Sequence, residues 1–195
     1  MLGAQAVAAT AAPAPADAAS AGVLRIAARL DGWAVVKNAH VIGNRRCRLF
    51  DHAGQSARRI RVFEAHRGAA AGLSLIASAS VYPSAAAARR ALAESGSTTW
   101  QACTRAWYAK LVKPQGLVVT SRTGIPQWVR PPARSHAVAQ HIVARLEGGQ
   151  GALWSSMYEL EDTRDPRVVY GFSVAGAHQI PKPLVRSLLA LAARR

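Results

Sequence analysis

A chain of 195 residues with half its side chains apolar can bury one sizeable core, which excludes a disulfide-stapled mini-protein and points to one domain with a tail. Its 25 basic residues against 10 acidic ones give a formal charge of +15, so at neutral pH the surface must attract anions: nucleic acid, acidic lipid, a phosphate-bearing envelope polymer or an acidic protein. Arginine outnumbers lysine 21 to 4, a bias that, with the heavy use of alanine, a GC-rich coding sequence would also produce.

Residues 1–22, MLGAQAVAATAAPAPADAASAG, hold no aromatic side chain and no periodic stripe, and read as tail rather than fold. Met1 to Ala12 resembles the later half of a signal peptide, with A-x-A spacing at Ala14-Pro15-Ala16 but no basic segment before it. Export, a start inside a longer gene and an Ala/Pro linker all accommodate that pattern. No run of 18 or more apolar residues occurs elsewhere, so the remainder is not expected to span a membrane as a helix. Residues 23–195 have the composition of a single domain.

Trp33 to Ile42 is rich in β-branched and aromatic residues and ends at the turn signal Gly43-Asn44, which predicts a strand. Arg58 to Gly68 alternates, with Ile60 and Val62 on one side and Arg59, Arg61 and Phe63 on the other; Gly72 to Pro83 follows after a Gly/Ala turn, completing a hairpin. At Pro83-Ser84 the period changes. Ser84 is a natural N-cap for AAAARRALAES, which stops at Gly96, read as a left-handed glycine beyond the helix end. A second helix is expected from about Ser97 to Tyr108, placing Trp100, Cys103 and Trp107 on one face. Beyond Pro114 strands return in GLVVTSRT, AVAQHIVARLEGG, ALWSSMYELE and RVVYGFSVAG, and PKPLVRSLLALAARR closes the chain with a helical apolar stripe. The stretch Ala133 to Glu147 fits either period, and the strand is favoured. Strands, two helices, more strands and a last helix imply an α+β domain: antiparallel sheet with flanking helices packed against it.

Two cysteines, Cys47 and Cys103, could pair in an exported protein or remain as buried thiols. No C-x-x-C and no H-x3-H spacing suggests a metal site, and neither a glycine-rich phosphate loop nor a G-x-S-x-G elbow is present. The acidic run Glu159 to Pro166 is expected to form a solvated hairpin tip interleaved with Arg164 and Arg167.

The segment VYPSAAAARRALAES, followed by TWQAC, resembles the PknH-like extracellular sensor domains of actinobacterial serine/threonine kinases and their stand-alone secreted relatives. Val81, Tyr82, Pro83, Ser84, Ala88, Leu92, Trp100 and Cys103 carry the resemblance, and RVVYGFSVAGAHQI with the closing helix is similar to that family's final strand and helix. It implies a disulfide-braced, extracytoplasmic, non-enzymatic domain whose cleft receives a ligand, with no catalytic residue and no cofactor. In that setting Cys47 and Cys103 are the expected disulfide. Ligand contacts are expected among Trp128, Arg130, Trp154, Tyr158 and Tyr170, of which Trp128 in the proline-rimmed GIPQWVRPP is the foremost. The competing reading is a cationic protein that binds acidic lipid, envelope polymer or nucleic acid through Arg45, Arg46, Arg48, Arg58, Arg59, Arg61 and Arg67. Nucleic acid is the less favoured partner, because no helix-turn-helix, zinc finger or RNP-type aromatic motif accompanies those arginines. An anionic envelope component, with association at a membrane surface, suits export better.

Overall fold

The computed structural model describes residues 23, 30–36, 47, 54–125, 127, 136–146, 149 and 152–193. Seven strands, β1 (Trp33–Val35), β2 (Ala57–Ala65), β3 (Ser74–Val81), β4 (Leu117–Thr123), β5 (Ala137–Leu146), β6 (Ala152–Glu161) and β7 (Val168–Gly176), form one sheet in the order β1-β2-β3-β7-β6-β5-β4. Every pairing is antiparallel. Two meanders, β1 to β3 and β4 to β7, are therefore joined side by side through β3 and β7. Among the described residues three further elements of length are helices: α1 (Ala85–Gly96), α2 (Thr98–Val112) and α3 (Lys182–Ala193). The α+β reading holds, and the ambiguous segment is strand β5, as expected. Of the strand read from Trp33 to Ile42, Trp33–Val35 is formed, and residues 37–42 lie outside the described residues.

The period-two alternation assigns each side chain to one of two faces. On the first, Leu75, Ala77, Ala79 and Val81 of β3 lie opposite Val174, Phe172, Tyr170 and Val168 of β7. These are fully or almost fully buried with Val185, Leu188 and Leu189 of α3. The apolar stripe of the closing helix thus finds its partner at the middle of the sheet. The second face lies beneath α1 and α2: Trp100 and Tyr108 pack on Ile142 and Met157, and Ala88, Ala91 and Leu92 on Val169 and Val138.

Ser84 caps α1, its Oγ accepting from the Ala87 N–H at 3.2 Å. Ser97 performs two roles at the joint between helices. Its backbone N–H donates to the Glu94 carbonyl, and its Oγ accepts from the Trp100 N–H at 3.2 Å. Gly96 is consequently the last residue of α1 and not a left-handed glycine after it. Space explains the residue: a Cβ at Gly96 would stand 3.1 Å from Val138 Cγ1. Helix α2 runs four residues beyond the expected Tyr108, and its buried stripe is Trp100, Thr104, Tyr108 and Val112. Cys103 and Trp107 lie half-buried along the flank of that stripe. Cys103 is bonded to Cys47 with S–S 2.04 Å and Cα–Cα 5.6 Å.

Candidate functional site

Polar side chains concentrate in two zones, one on each face of the sheet. Under α1 and α2 the alternation brings Ser78 and Ser80 of β3, Gln140 of β5, Ser155, Glu159 and Glu161 of β6 and Ser173 of β7 to one face, all buried. Tyr108 reaches down from α2 and its hydroxyl shares a 2.9 Å hydrogen bond with Ser155 Oγ. Burial raises that phenol above its ordinary pKa, while hydrogen bonds with Ser155 and Ser173 act the other way. Gln140 Nε2 donates to the Gln101 carbonyl at 2.9 Å, tying β5 to α2.

The acidic run does not form the expected solvated tip. Glu159 and Glu161 point beneath the helices at 6% and 3% exposure, and Asp162 is buried on the opposite face. Glu161 accepts from Arg89 Nε of α1 at 3.3 Å and lies 2.7 Å from His136 Nδ1. Asp162 accepts the Tyr170 hydroxyl at 2.7 Å and the Arg164 N–H at 2.8 Å. Asp165 alone keeps the turn-like role, held by Arg167 through Nε and Nη2 at 2.9 and 2.8 Å. That guanidinium draws the Asp165 carboxyl below the usual carboxylate range, against partial desolvation. Strand β6 spans the expected ALWSSMYELE, so Glu159 and Glu161 belong to the sheet and not to the turn. This first zone is a braced interior.

The second zone is open. Helix α3 covers the middle of the first face and leaves its β4–β5 side bare: Val118, Thr120, Arg122 and Arg145 are exposed, and His141, Val143 and Trp154 half-buried. Register sets three rows across β4, β5 and β6. Arg122 stands beside His141, which stands beside Ser156; Thr120 leads to Val143 and Trp154; Val118 leads to Arg145. His141 Nδ1 lies 2.9 Å from Ser156 Oγ, and its Nε2 is buried. Burial pushes the His141 imidazole below its ordinary pKa; a backbone hydrogen bond with Gly124 counters this, and the charge of Arg122 adds to it. At neutral pH the ring is therefore uncharged. The Arg145 guanidinium lies 5.8 Å from the centroid of the Trp154 ring, within cation–π range.

The residues singled out from sequence fall unevenly. Trp154 belongs to the open zone. Tyr158 and Tyr170 are buried on the same face; Tyr158 meets the His141 ring edge-on at 5.4 Å, its hydroxyl pushed up to about 12 by burial, and Tyr170 holds Asp162. Trp128 and Arg130 lie outside the described residues, as do Arg45, Arg46 and Arg48. Arg58, Arg59, Arg61 and Arg67 are exposed, with Arg59 and Arg61 on the first face and Arg58 on the second. Arg122, His141, Arg145 and Ser156 were not singled out. The available signal was the absence of any Asp or Glu from residue 95 to residue 146.

Among the described residues no group of three or more His, Cys, Asp or Glu could hold a metal ion, and no helix is long and apolar enough to cross a membrane. Comparison with known proteins gives no match to a family model, a curated protein or a solved structure.

Proposed function

We propose that the chain is a non-enzymatic, extracytoplasmic binding domain whose ligand is anionic, and that the ligand rests on the open floor formed by Arg122, His141, Arg145, Trp154 and Ser156. The observation that carries the reading is this bare half-face. It holds two exposed guanidiniums and a half-buried indole beside a half-buried imidazole, with no carboxylate on β4 or β5 to oppose an anion. Trp154 offers a ring on which a sugar or acyl-glycerol group can lie while the arginines take a phosphate. The Cys47–Cys103 bond favours an oxidising compartment. The PknH-like resemblance in the Val81 to Cys103 segment adds a sensor role to the same picture. Shared by the eligible ligands is a phosphodiester or phosphomonoester, carried by a glycan or by a lipid headgroup.

The reading is tested by titrating the protein with glycerophosphate, and in parallel with vesicles of phosphatidylglycerol or phosphatidylcholine, while following Trp fluorescence and the His141 ring by NMR. Arg122→Ala and Arg145→Ala should each weaken glycerophosphate binding by about tenfold, the size of one charge-assisted contact. Phosphatidylglycerol vesicles competing at the same residues identify a headgroup source; glycerophosphate binding without vesicle binding identifies a soluble one. Binding that ignores both substitutions, or no binding, overturns the proposal.

A further inference from the structure

The two edges of the sheet differ. β1 is three residues long, whereas β4 offers seven residues in unbroken register with β5. Gly124 N–H donates to the carbonyl of Ala139, the residue directly opposite, at 3.0 Å. In an antiparallel ladder such pairs alternate. The even-numbered residues of β4 therefore face β5, and Leu117, Val119, Ser121 and Thr123 turn their N–H and C=O groups toward the free edge. Proteins usually blunt a long edge with proline, several charges, a bulge or a cover. β4 has no proline, one charge (Arg122) and no break in its pairing.

Apolar surface gathers at the same place. Among the described residues four large hydrophobic side chains are exposed, and three belong here: Val118 at 57%, Leu111 at 43% and Leu146, paired with Leu117, at 42%. Leu111 is the informative one. On the helical wheel it falls between Trp100 and Tyr108, on the sheet-facing side of α2. Helix α2 packs chiefly on β4, the last strand. Among the described residues no strand lies beneath Leu111, so α2 overhangs the edge.

Charge identifies the occupant. Arg105, Lys110, Lys113, Arg122 and Arg145 are exposed along this helix, turn and strand pair, within the stretch that has no Asp or Glu. A second copy of the chain would bring these same cations face to face. We propose that the β4 edge docks an extended, acidic segment of a partner protein, which adds as an eighth strand under the overhang of α2, taking main-chain hydrogen bonds from Leu117 to Thr123, apolar contact from Leu111 and Val118, and charge pairing from Lys113 and Arg122.

The probe is a synthetic peptide that alternates glutamate or valine with threonine, titrated into the isotope-labelled full chain by NMR. Amide shifts should concentrate at Leu117, Val119, Ser121 and Thr123, with methyl shifts at Leu111 and Val118. Ser121→Pro removes one outward donor without touching the β5 ladder and should weaken the peptide by about tenfold. Lys113→Glu, which leaves the backbone intact, should weaken it several-fold at low salt and less at high salt. Ser121→Pro should retain glycerophosphate binding, so this edge and the phosphate floor can fail separately. Equal binding of a lysine-for-glutamate peptide, shifts elsewhere on the surface, no shifts at all, or a dimer that Ser121→Pro dissolves would each overturn the proposal.

Discussion

Replacing both cysteines with alanine isolates the contribution of the Cys47–Cys103 bond. The two residues are 56 positions apart, and on the chain-entropy model closing a loop of that length removes roughly 4 kcal/mol of freedom from the unfolded chain. Against a typical domain stability of about 5–15 kcal/mol, that is a large share. Alanine is preferred to serine because Cys47 is 5% exposed, and a hydroxyl there would add a desolvation cost unrelated to the bond. The assay is urea unfolding of the native and Cys47→Ala/Cys103→Ala proteins, followed by Trp fluorescence. Two results are expected together: a loss near 4 kcal/mol, and a steeper urea dependence for the variant, whose unfolded chain is no longer cross-linked and exposes more surface. A loss below about 1 kcal/mol would refute the reasoning, since the unfolded chain would then gain almost nothing from being released.

Other consequences can be checked with similar means. Tyr170→Phe removes the hydroxyl that Asp162 accepts at 2.7 Å, both residues being buried; urea unfolding should show a loss of about 1.5–3 kcal/mol, and a neutral result would mean that Asp162 finds another donor. Gly96→Ala should destabilise despite the better helix propensity of alanine, because its Cβ would stand 3.1 Å from Val138 Cγ1. Combining it with Val138→Ala should give a less than additive loss in a double-mutant cycle. The lowered pKa of His141 means that the unfolded chain takes up that proton first; its share of stability is complete above about pH 6.5 and declines as pH falls through the folded value. Removal of the ring by His141→Asn should flatten that part of the stability profile. Asp165, also lowered, contributes above its unfolded pKa and loses that contribution in acid, so Asp165→Asn should differ from the native protein at neutral pH more than in strong acid.

Local rules made most elements legible. Alternation marked β2, β3, β6 and β7, the Ser84 cap marked α1, and the 3.6-residue stripe marked α3. What stayed hidden depended on tertiary space. Gly96 looks like a helix stop from composition, yet its absent side chain is explained by Val138, 42 positions away in sequence. The carboxylates of Glu159 and Glu161 read as surface because charged residues normally are, and the arrival of Arg89 and His136 makes the burial of Glu161 tolerable. The open floor was half visible. Trp154 stood out as an aromatic on a strand, but Arg122, His141 and Ser156 become neighbours solely through the β4–β5–β6 register, which no single segment encodes.

The joining of the two meanders has a temporal consequence. β3 meets β7 at pairs such as Ser78 and Gly171, 93 residues apart, whereas β4 through β7 are connected by hairpins. Local hairpins close faster than distant pairings, so during synthesis β3 must wait, with its future neighbour unmade, until the fourth strand of the second meander emerges. Cys47, Cys103 and the two helices that follow β3 all precede that moment. Their covalent link can be in place before the sheet is whole, so α2 is already tied to the chain ahead of β2 when the last strand arrives to join the two meanders.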